Sequence, residues 1–187
     1  MILFIFFCLM CLWTVNGQGQ GKDCGPLDRK IRFENLVIPE KVVAGDTDGR
    51  ISGKMVLTED LNSDDIVAIN YKKHIAFTQI PISCATSRSC PMTLDQFLRK
   101  PVNRKINDKK IYEEFLKYGA NLNMEPAGHI KAGEMGLQGI PIKIDPDMLS
   151  SAQKLIANGK FTMTLKITDS RQEKVKGCLE VVTNVKF

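Results

Sequence analysis

Apolar and polar residues alternate near the end of the chain. From Phe161 to Thr168, every second side chain is apolar and those between are threonine or lysine. A period of two is typical of a β-strand that buries one face. After turn residues 169–171, apolar positions recur at alternate sites between Val175 and Phe187. These two segments predict an antiparallel C-terminal hairpin.

Three earlier segments also predict strands. Ile31 to Pro39 opens with apolar residues at alternate positions, and Arg50 to Leu57 follows a turn-rich stretch that contains glycine and aspartate. Ile66 to Ile80 alternates over a length that exceeds one flat strand. We therefore expect a bend or bulge near residues 72–74. Several short strands at these spacings predict an all-β sandwich.

The middle of the chain follows a different period. Ile111, Phe115 and Tyr118 have helical spacing, and Gly119 is placed to end a short helix. The glycine-rich segment 128–139 predicts a flexible loop. A helix that covers the core and a surface loop would explain these features, and so would a lid over a cavity.

The N-terminus has the composition of a secretory signal peptide. Ile2 to Trp13 is almost wholly apolar and is followed by small or polar residues. This run is shorter than the roughly 20 apolar residues that span a bilayer. A membrane anchor or a buried strand is the alternative. We expect cleavage after residues 1–17, which leaves residues 18–187 as one secreted domain with the full net charge of +5.

Four cysteines remain beyond the predicted signal peptide, and they allow three pairings. Cys84 and Cys90 are separated by only five residues in a stretch bounded by prolines, which favours their pairing and leaves Cys24 with Cys178. Export makes disulfides chemically permissible. Free or metal-binding thiols are the alternative, but there is no C-x-x-C pair, so no metal site is predicted.

The sequence does not favour an enzyme. His74 falls on a predicted strand and His129 in a glycine-rich segment, and neither has a recognisable partner motif for nucleophilic catalysis. A phosphate-binding glycine loop and an H-E-x-x-H motif are both missing from the sequence. We therefore expect no catalytic residues and no cofactor.

A run of cations follows the predicted strands. Such a run near a ligand opening would attract an anionic membrane surface, although a solvated face is the commoner explanation. Nucleic acid is not expected, because aromatic residues are not interleaved with the cations and export is predicted. The run comprises Arg99, Lys100, Arg104, Lys105, Lys109 and Lys110.

Three parts of the chain resemble the ganglioside activator branch of the ML lipid-recognition family. Asp65 to Cys84, which reads DIVAINYKKHIAFTQIPISC, resembles its central strand, and Cys90 follows at the spacing of its small disulfide. The segment from Gly159 through Val181 resembles its closing hairpin, with a cysteine early in the second strand. Cys24 matches the family's N-terminal cysteine, which pairs with the cysteine of the last strand.

The resemblance implies an immunoglobulin-like β-sandwich opened into a lipid-binding β-cup, with one short helix near the mouth. It also implies a secreted or endolysosomal protein that extracts a lipid, glycolipid or phospholipid, from membranes and presents it. A lipid-recognition partner of a receptor in immunity or signalling is the alternative. The family's two further mouth disulfides have no counterpart between Cys90 and Cys178, so a ganglioside ligand and a glycosidase partner are less firmly implied.

Two sets of apolar residues are the candidate ligand contacts. An ordinary sandwich core would use the same kinds of residue. The candidate cavity lining is Ile69, Tyr71, Ile75, Phe77, Phe161, Met163 and Leu165. The candidate cavity mouth is Phe115, Met135, Leu137, Met148 and Leu149.

Overall fold

The computed structural model describes residues 18–46, 48–82, 91–99, 128–141, 154 and 157–187. Within these ranges the protein is nearly all β, which confirms the predicted fold class. The elements are β1 (Gln18–Asp23), β2 (Ile31–Pro39), β3 (Lys41–Val43), β4 (Arg50–Leu57), β5 (Ile66–Ile75), β6 (Thr78–Ile82), β7 (Met92–Thr93), α1 (Leu94–Leu98), β8 (Gly133–Pro141), β9 (Gly159–Thr168) and β10 (Val175–Lys186).

The strands hydrogen-bond in the order β6-β5-β9-β10-β1-β2-β4-β8, with β3 attached to β10 and β7 to β5. Strand β1 joins two layers: residues 20–23 pair with β10, whereas residues 18 and 19 pair with β2. Only glycine fits at position 19, because a Cβ there would lie 2.5 Å from the carbonyl oxygen of Pro39. The chain therefore crosses between the layers at a point of very close backbone approach.

The two layers pack face to face. One buried cluster contains Ile31, Leu57 and Met135 from the β2-β4-β8 layer together with Val67 and Ile167 from the β5-β9 layer. Side chains from two sheets that interdigitate in this way define a β-sandwich. The short helix α1 closes one end of it.

Helix α1 begins with a capping box. The Thr93 side chain accepts a hydrogen bond from the Gln96 backbone, and the Gln96 side chain accepts one from the Thr93 backbone, both at 3.2 Å. Leu94 and Leu98, one turn apart, are buried in the core, and Leu94 N donates to the Asp65 carbonyl at 2.7 Å. The capping box stabilises the start of α1, and the two buried leucines pack the helix against this end of the sandwich.

Several predicted elements are confirmed. β2 and β4 have the predicted bounds, and β9 and β10 form the predicted hairpin across residues 169–171. Along β2, however, the predicted alternation continues only as far as residue 34. Asn35 has a φ of 51°, and the register with β4 shifts between Glu34 and Val37. This bulge turns Leu36 and Ile38 inward and leaves Val37 exposed.

Two predictions about local structure are wrong. The bend expected at residues 72–74 does not occur, because β5 runs unbroken to Ile75 and turns at Ala76 and Phe77 into β6. The glycine-rich loop expected at 128–139 is largely strand β8, paired along β4. Its glycines obscured an alternation in which Met135 and Leu137 face the core.

The predicted Cys24–Cys178 disulfide is present, and it joins β10 to the residue that follows β1. In the entropy model, closure of so long a loop contributes about 5 kcal/mol to stability. Cys84, Cys90, the predicted helix at 111–119 and the predicted signal peptide lie outside the described residues. In the part of the chain that the structure describes, no helix is long and apolar enough to span a membrane.

Candidate functional site

The inner faces of β5 and β9 form one continuous band, which we call the inner stripe. Residues on the two strands that lie directly opposite each other share a face. The opposed pairs run from the α1 end to the end at the β5–β6 turn, which we call the hairpin end. They are Val67 with Ile167, Ile69 with Leu165, Tyr71 with Met163 and Lys73 with Phe161.

Burial decreases along the inner stripe. Val67 and Ile167, at the α1 end, are 1% and 7% exposed. All the residues of the next three pairs are only partly buried. Ile69, Leu165 and Met163 still pack on the buried clusters. The inner face is therefore shielded from solvent at the α1 end and more accessible toward the other end.

The turn between β5 and β6 carries apolar side chains into solvent. Ile75 and Ile80 are nearly half exposed, and Phe77 is fully exposed. We call Ile75 through Ile80 the hairpin tip. Two predicted lining residues, Ile75 and Phe77, lie on this tip rather than on the inner stripe, because the turn falls at Ala76 and Phe77. The other five predicted lining residues belong to the inner stripe.

The predicted mouth residues on β8 lie in the interior. Met135 is 3% exposed and belongs to the larger buried cluster, and Leu137 is also buried. Met135 lies opposite Met55 of β4, which packs against the same cluster. These residues therefore form the wall that faces the inner stripe. Phe115, Met148 and Leu149 lie outside the described residues.

The inner stripe contains two polar groups near its hairpin end. Burial raises the pKa of the Tyr71 phenol above its usual value, which reflects a largely apolar surrounding. Lys73 Nζ lies 5.8 Å from the centroid of the Phe161 ring, in the geometry of a cation–π contact. A hydroxyl and an ammonium group thus lie two positions apart on an otherwise apolar band.

A buried ion pair lies at the α1 end. The Asp65 carboxylate accepts hydrogen bonds from Lys176 Nζ at 2.9 Å and from Asn62 N at 2.8 Å, and both contacts go to Oδ2. Glu59 lies 4.0 Å from the same ammonium group. No local pattern indicated this pair, because its members lie in a turn and at a strand irregularity far apart in the chain.

Neither histidine lies on the inner stripe. His74 Nε2 is 2.8 Å from Thr162 Oγ1, and His129 Nε2 is 3.1 Å from Asp60 Oδ2. Hydrogen bonds from Ala132 N and His129 lower the pKa of Asp60. Together with the Leu61–Ile130 bridge, the contacts of Asp60 connect the residues just before β8 to the loop after β4. Thr162 and Asp60 are each remote in sequence from the histidine that they contact, so neither contact was predicted.

Of the predicted surface cations, the structure describes only Arg99. Its guanidinium group forms an exposed ion pair with Asp95 at 2.6 Å, one helical turn earlier. Lys100, Arg104, Lys105, Lys109 and Lys110 lie outside the described residues. Within the described ranges, no three His, Cys, Asp or Glu side chains are grouped so that they could hold a metal ion.

Comparison with known proteins found no family model and no curated protein that matches this chain.

Proposed function

We propose that this protein is a lipid-binding and lipid-transfer protein of the ML type. It takes a lipid from a membrane, holds the acyl chains between its two layers and presents the headgroup at the hairpin end. On this proposal it is a carrier without catalytic residues, secreted or delivered to endolysosomes. Its partners are the lipid and an anionic membrane surface.

The decrease in burial along the inner stripe is the observation that carries this proposal. In a sandwich whose two layers pack together along their whole length, the inner faces of the central strands would be buried throughout. Here Val67 and Ile167 are buried, whereas Tyr71, Met163 and Phe161 remain partly accessible on the same face. Hydrocarbon that entered at this end would gain about 0.8 kcal/mol for each buried CH₂ group.

The hairpin tip supports contact with a membrane. Exposed apolar side chains that cluster on one turn are uncommon on a monomeric soluble protein and indicate a binding surface. Ile75, Phe77 and Ile80 lie on the hairpin tip, which continues from the accessible end of the inner stripe. A tip that enters the bilayer would bring this end of the stripe to the lipid. The Cys24–Cys178 disulfide is in keeping with an oxidising compartment.

Two measurements test the proposal. Native mass spectrometry of the gently purified protein should show co-purified lipid, with a stoichiometry near one. A transfer assay between donor and acceptor vesicles, with a fluorescent phospholipid or glycolipid, should show a rate that rises with protein concentration. Transfer should need no partner protein. If no lipid co-purifies and neither fluorescent lipid is taken up, the proposal is wrong.

Leu165→Asp provides a variant within the inner stripe, and Lys166→Asp, the exposed neighbour on the opposite face, is its matched control. A carboxylate at position 165 should abolish uptake, because an acyl chain bound there would remove the charged group from water. Circular dichroism must show that each variant is folded. Equal uptake by two folded variants would exclude position 165 from the lipid site.

A further inference from the structure

We propose that the lipid held by the inner stripe is an anionic glycerophospholipid, with its phosphate on Lys73 and its acyl ester on Tyr71. This inference rests on the proposed function and adds the class of headgroup to it. It makes Lys73 and Tyr71 the residues that determine ligand specificity.

The spacing of the two polar groups fits such a ligand. Tyr71 and Lys73 are two positions apart on β5 and so face the same side, about 7 Å apart along the strand. In a glycerophospholipid, the glycerol unit separates the phosphate from the acyl ester carbonyls by a comparable distance. The acyl chains would then extend past Ile69 and Leu165 toward the closed α1 end.

Tyr71 offers a hydrogen-bond donor in an apolar place. Its ring is partly buried between Ile69 and Lys73 on the stripe, and within the described part of the chain its hydroxyl has no hydrogen-bond partner. A hydroxyl that donates to a carbonyl in such an apolar place is favoured over one that makes no hydrogen bond within the protein. An ester carbonyl at this depth would accept the hydrogen bond and be held at the boundary between chain and headgroup.

Lys73 places a positive charge at the outer end of the stripe. Its ammonium group lies over the Phe161 ring, and its Cε lies 3.8 Å from where a Cβ on Gly159 would be, so the side chain extends across the start of β9. The contact with the ring keeps the charge beside the apolar band. A phosphate oxygen is a suitable acceptor for an ammonium group in this position.

The surrounding strands have a positive charge balance. The segments β5, β6 and β9 contain four lysines and no aspartate or glutamate. Two of these lysines, Lys72 and Lys160, lie near Lys73 in the sheet register but on the opposite face. The positive charge of Lys73, with Lys72 and Lys160 nearby, favours an anionic ligand over a neutral or zwitterionic one.

The test compares two fluorescent lipids that have identical acyl chains, phosphatidylglycerol and phosphatidylcholine. Each is present in trace amount in donor vesicles of the same unlabelled composition, so that surface charge and membrane docking do not differ between the assays. Wild-type protein should take up phosphatidylglycerol about tenfold better, because both lipids offer the phosphate but only phosphatidylcholine adds a cation that Lys73 repels. Lys73→Gln should reduce this preference to less than about twofold, and Lys73→Arg should largely retain it.

Two further variants separate the roles of the residues. Tyr71→Phe should weaken uptake of both lipids by about fivefold without a change in their ratio, because both contain the ester. The matched control Lys72→Gln, exposed on the opposite face, should change neither value. Deacylated glycerophosphoglycerol at millimolar concentration should not compete, since a site for free phosphate esters would be blocked by it.

Equal uptake of the two lipids by wild-type protein, an unchanged preference in Lys73→Gln, or competition by the deacylated headgroup would each overturn the inference. In the first two cases lipid transfer itself would stand. Failure of wild-type protein to take up either lipid would contradict the proposed function, and this inference with it.

Discussion

The ammonium group of Lys176 lies 2.9 Å from a carboxylate oxygen of Asp65, although the two are 111 positions apart in sequence. Asp65 is 1% exposed and precedes β5. Lys176 lies where the register of β10 against β9 shifts, between Val175 and Gly177. The ion pair therefore joins the entry to the central strand with an irregularity in the last one, at the closed end of the sandwich.

Lys176→Met should strongly destabilise the protein. It leaves the buried Asp65 carboxylate without its counter-ion, and removal of one partner from a buried pair typically costs about 3–5 kcal/mol. Urea denaturation would measure the change in the free energy of unfolding. Lys30→Met is the control, because Lys30 pairs with Glu59 at 3.3 Å on the surface, where a pair contributes about 1 kcal/mol or less. Equal losses in the two variants would contradict the prediction.

Gly177→Ala should lower stability through a steric clash between the layers. A Cβ at this position would lie 2.6 Å from Cβ of Ile31, which is fully buried and cannot move aside easily. Overpacking of this kind costs about 1–3 kcal/mol. The matched substitution Gly136→Ala meets nothing closer than 3.9 Å and should be close to neutral in a thermal melt. A neutral Gly177→Ala would mean that β10 and β2 are farther apart than described.

Phe77→Asp should weaken association with vesicles and leave the fold intact. Phe77 is fully exposed on the hairpin tip, so its replacement removes no contact in the core. If the ring enters the bilayer, its loss should reduce vesicle binding at least about tenfold in a sedimentation assay. Leu27→Asp is the control, since Leu27 is equally exposed but lies on the loop between β1 and β2. An equal effect of the two variants would exclude the tip as a specific docking site.

Asp23 should make stability depend on pH in the acid range. Partial burial alone would raise its pKa, but hydrogen bonds from Phe33 N, Gly25 N and Arg29 together lower it from the ordinary 3.8. Because the pKa is lower in the folded protein, the contribution to stability is present above about pH 4 and is lost as the pH falls through the folded-state pKa.

The variant Asp23→Asn tests this dependence. Its loss of stability relative to wild type should be largest above about pH 5 and should shrink progressively below pH 4. Urea denaturation at several pH values between 3 and 7 would measure the difference. A difference that stays constant across this range would show that the charge of Asp23 is not what stabilises the loop.

Much of the architecture could be predicted because alternation is a property of neighbouring residues. The segment Phe161–Thr168 carries the period of a half-buried strand in its own side chains, and the structure confirms it as β9. Cysteine spacing in the same way indicated the Cys24–Cys178 disulfide. The capping box of Thr93 and Gln96 was also readable from the sequence and was missed.

The remaining features depend on which segments come together in space. Glycine has no side chain that shows a period, so β8 became recognisable only through its pairing with β4. Asn35 is of a type that adopts a positive φ readily, but one asparagine in an alternating segment does not by itself predict the bulge that reverses the faces of β2. The amino-acid pattern thus identifies Tyr71 and Lys73 as members of one strand face. Their location at the accessible end of the inner stripe is decided by tertiary contacts, because the β2-β4-β8 layer, helix α1 and the Asp65–Lys176 ion pair close the opposite end.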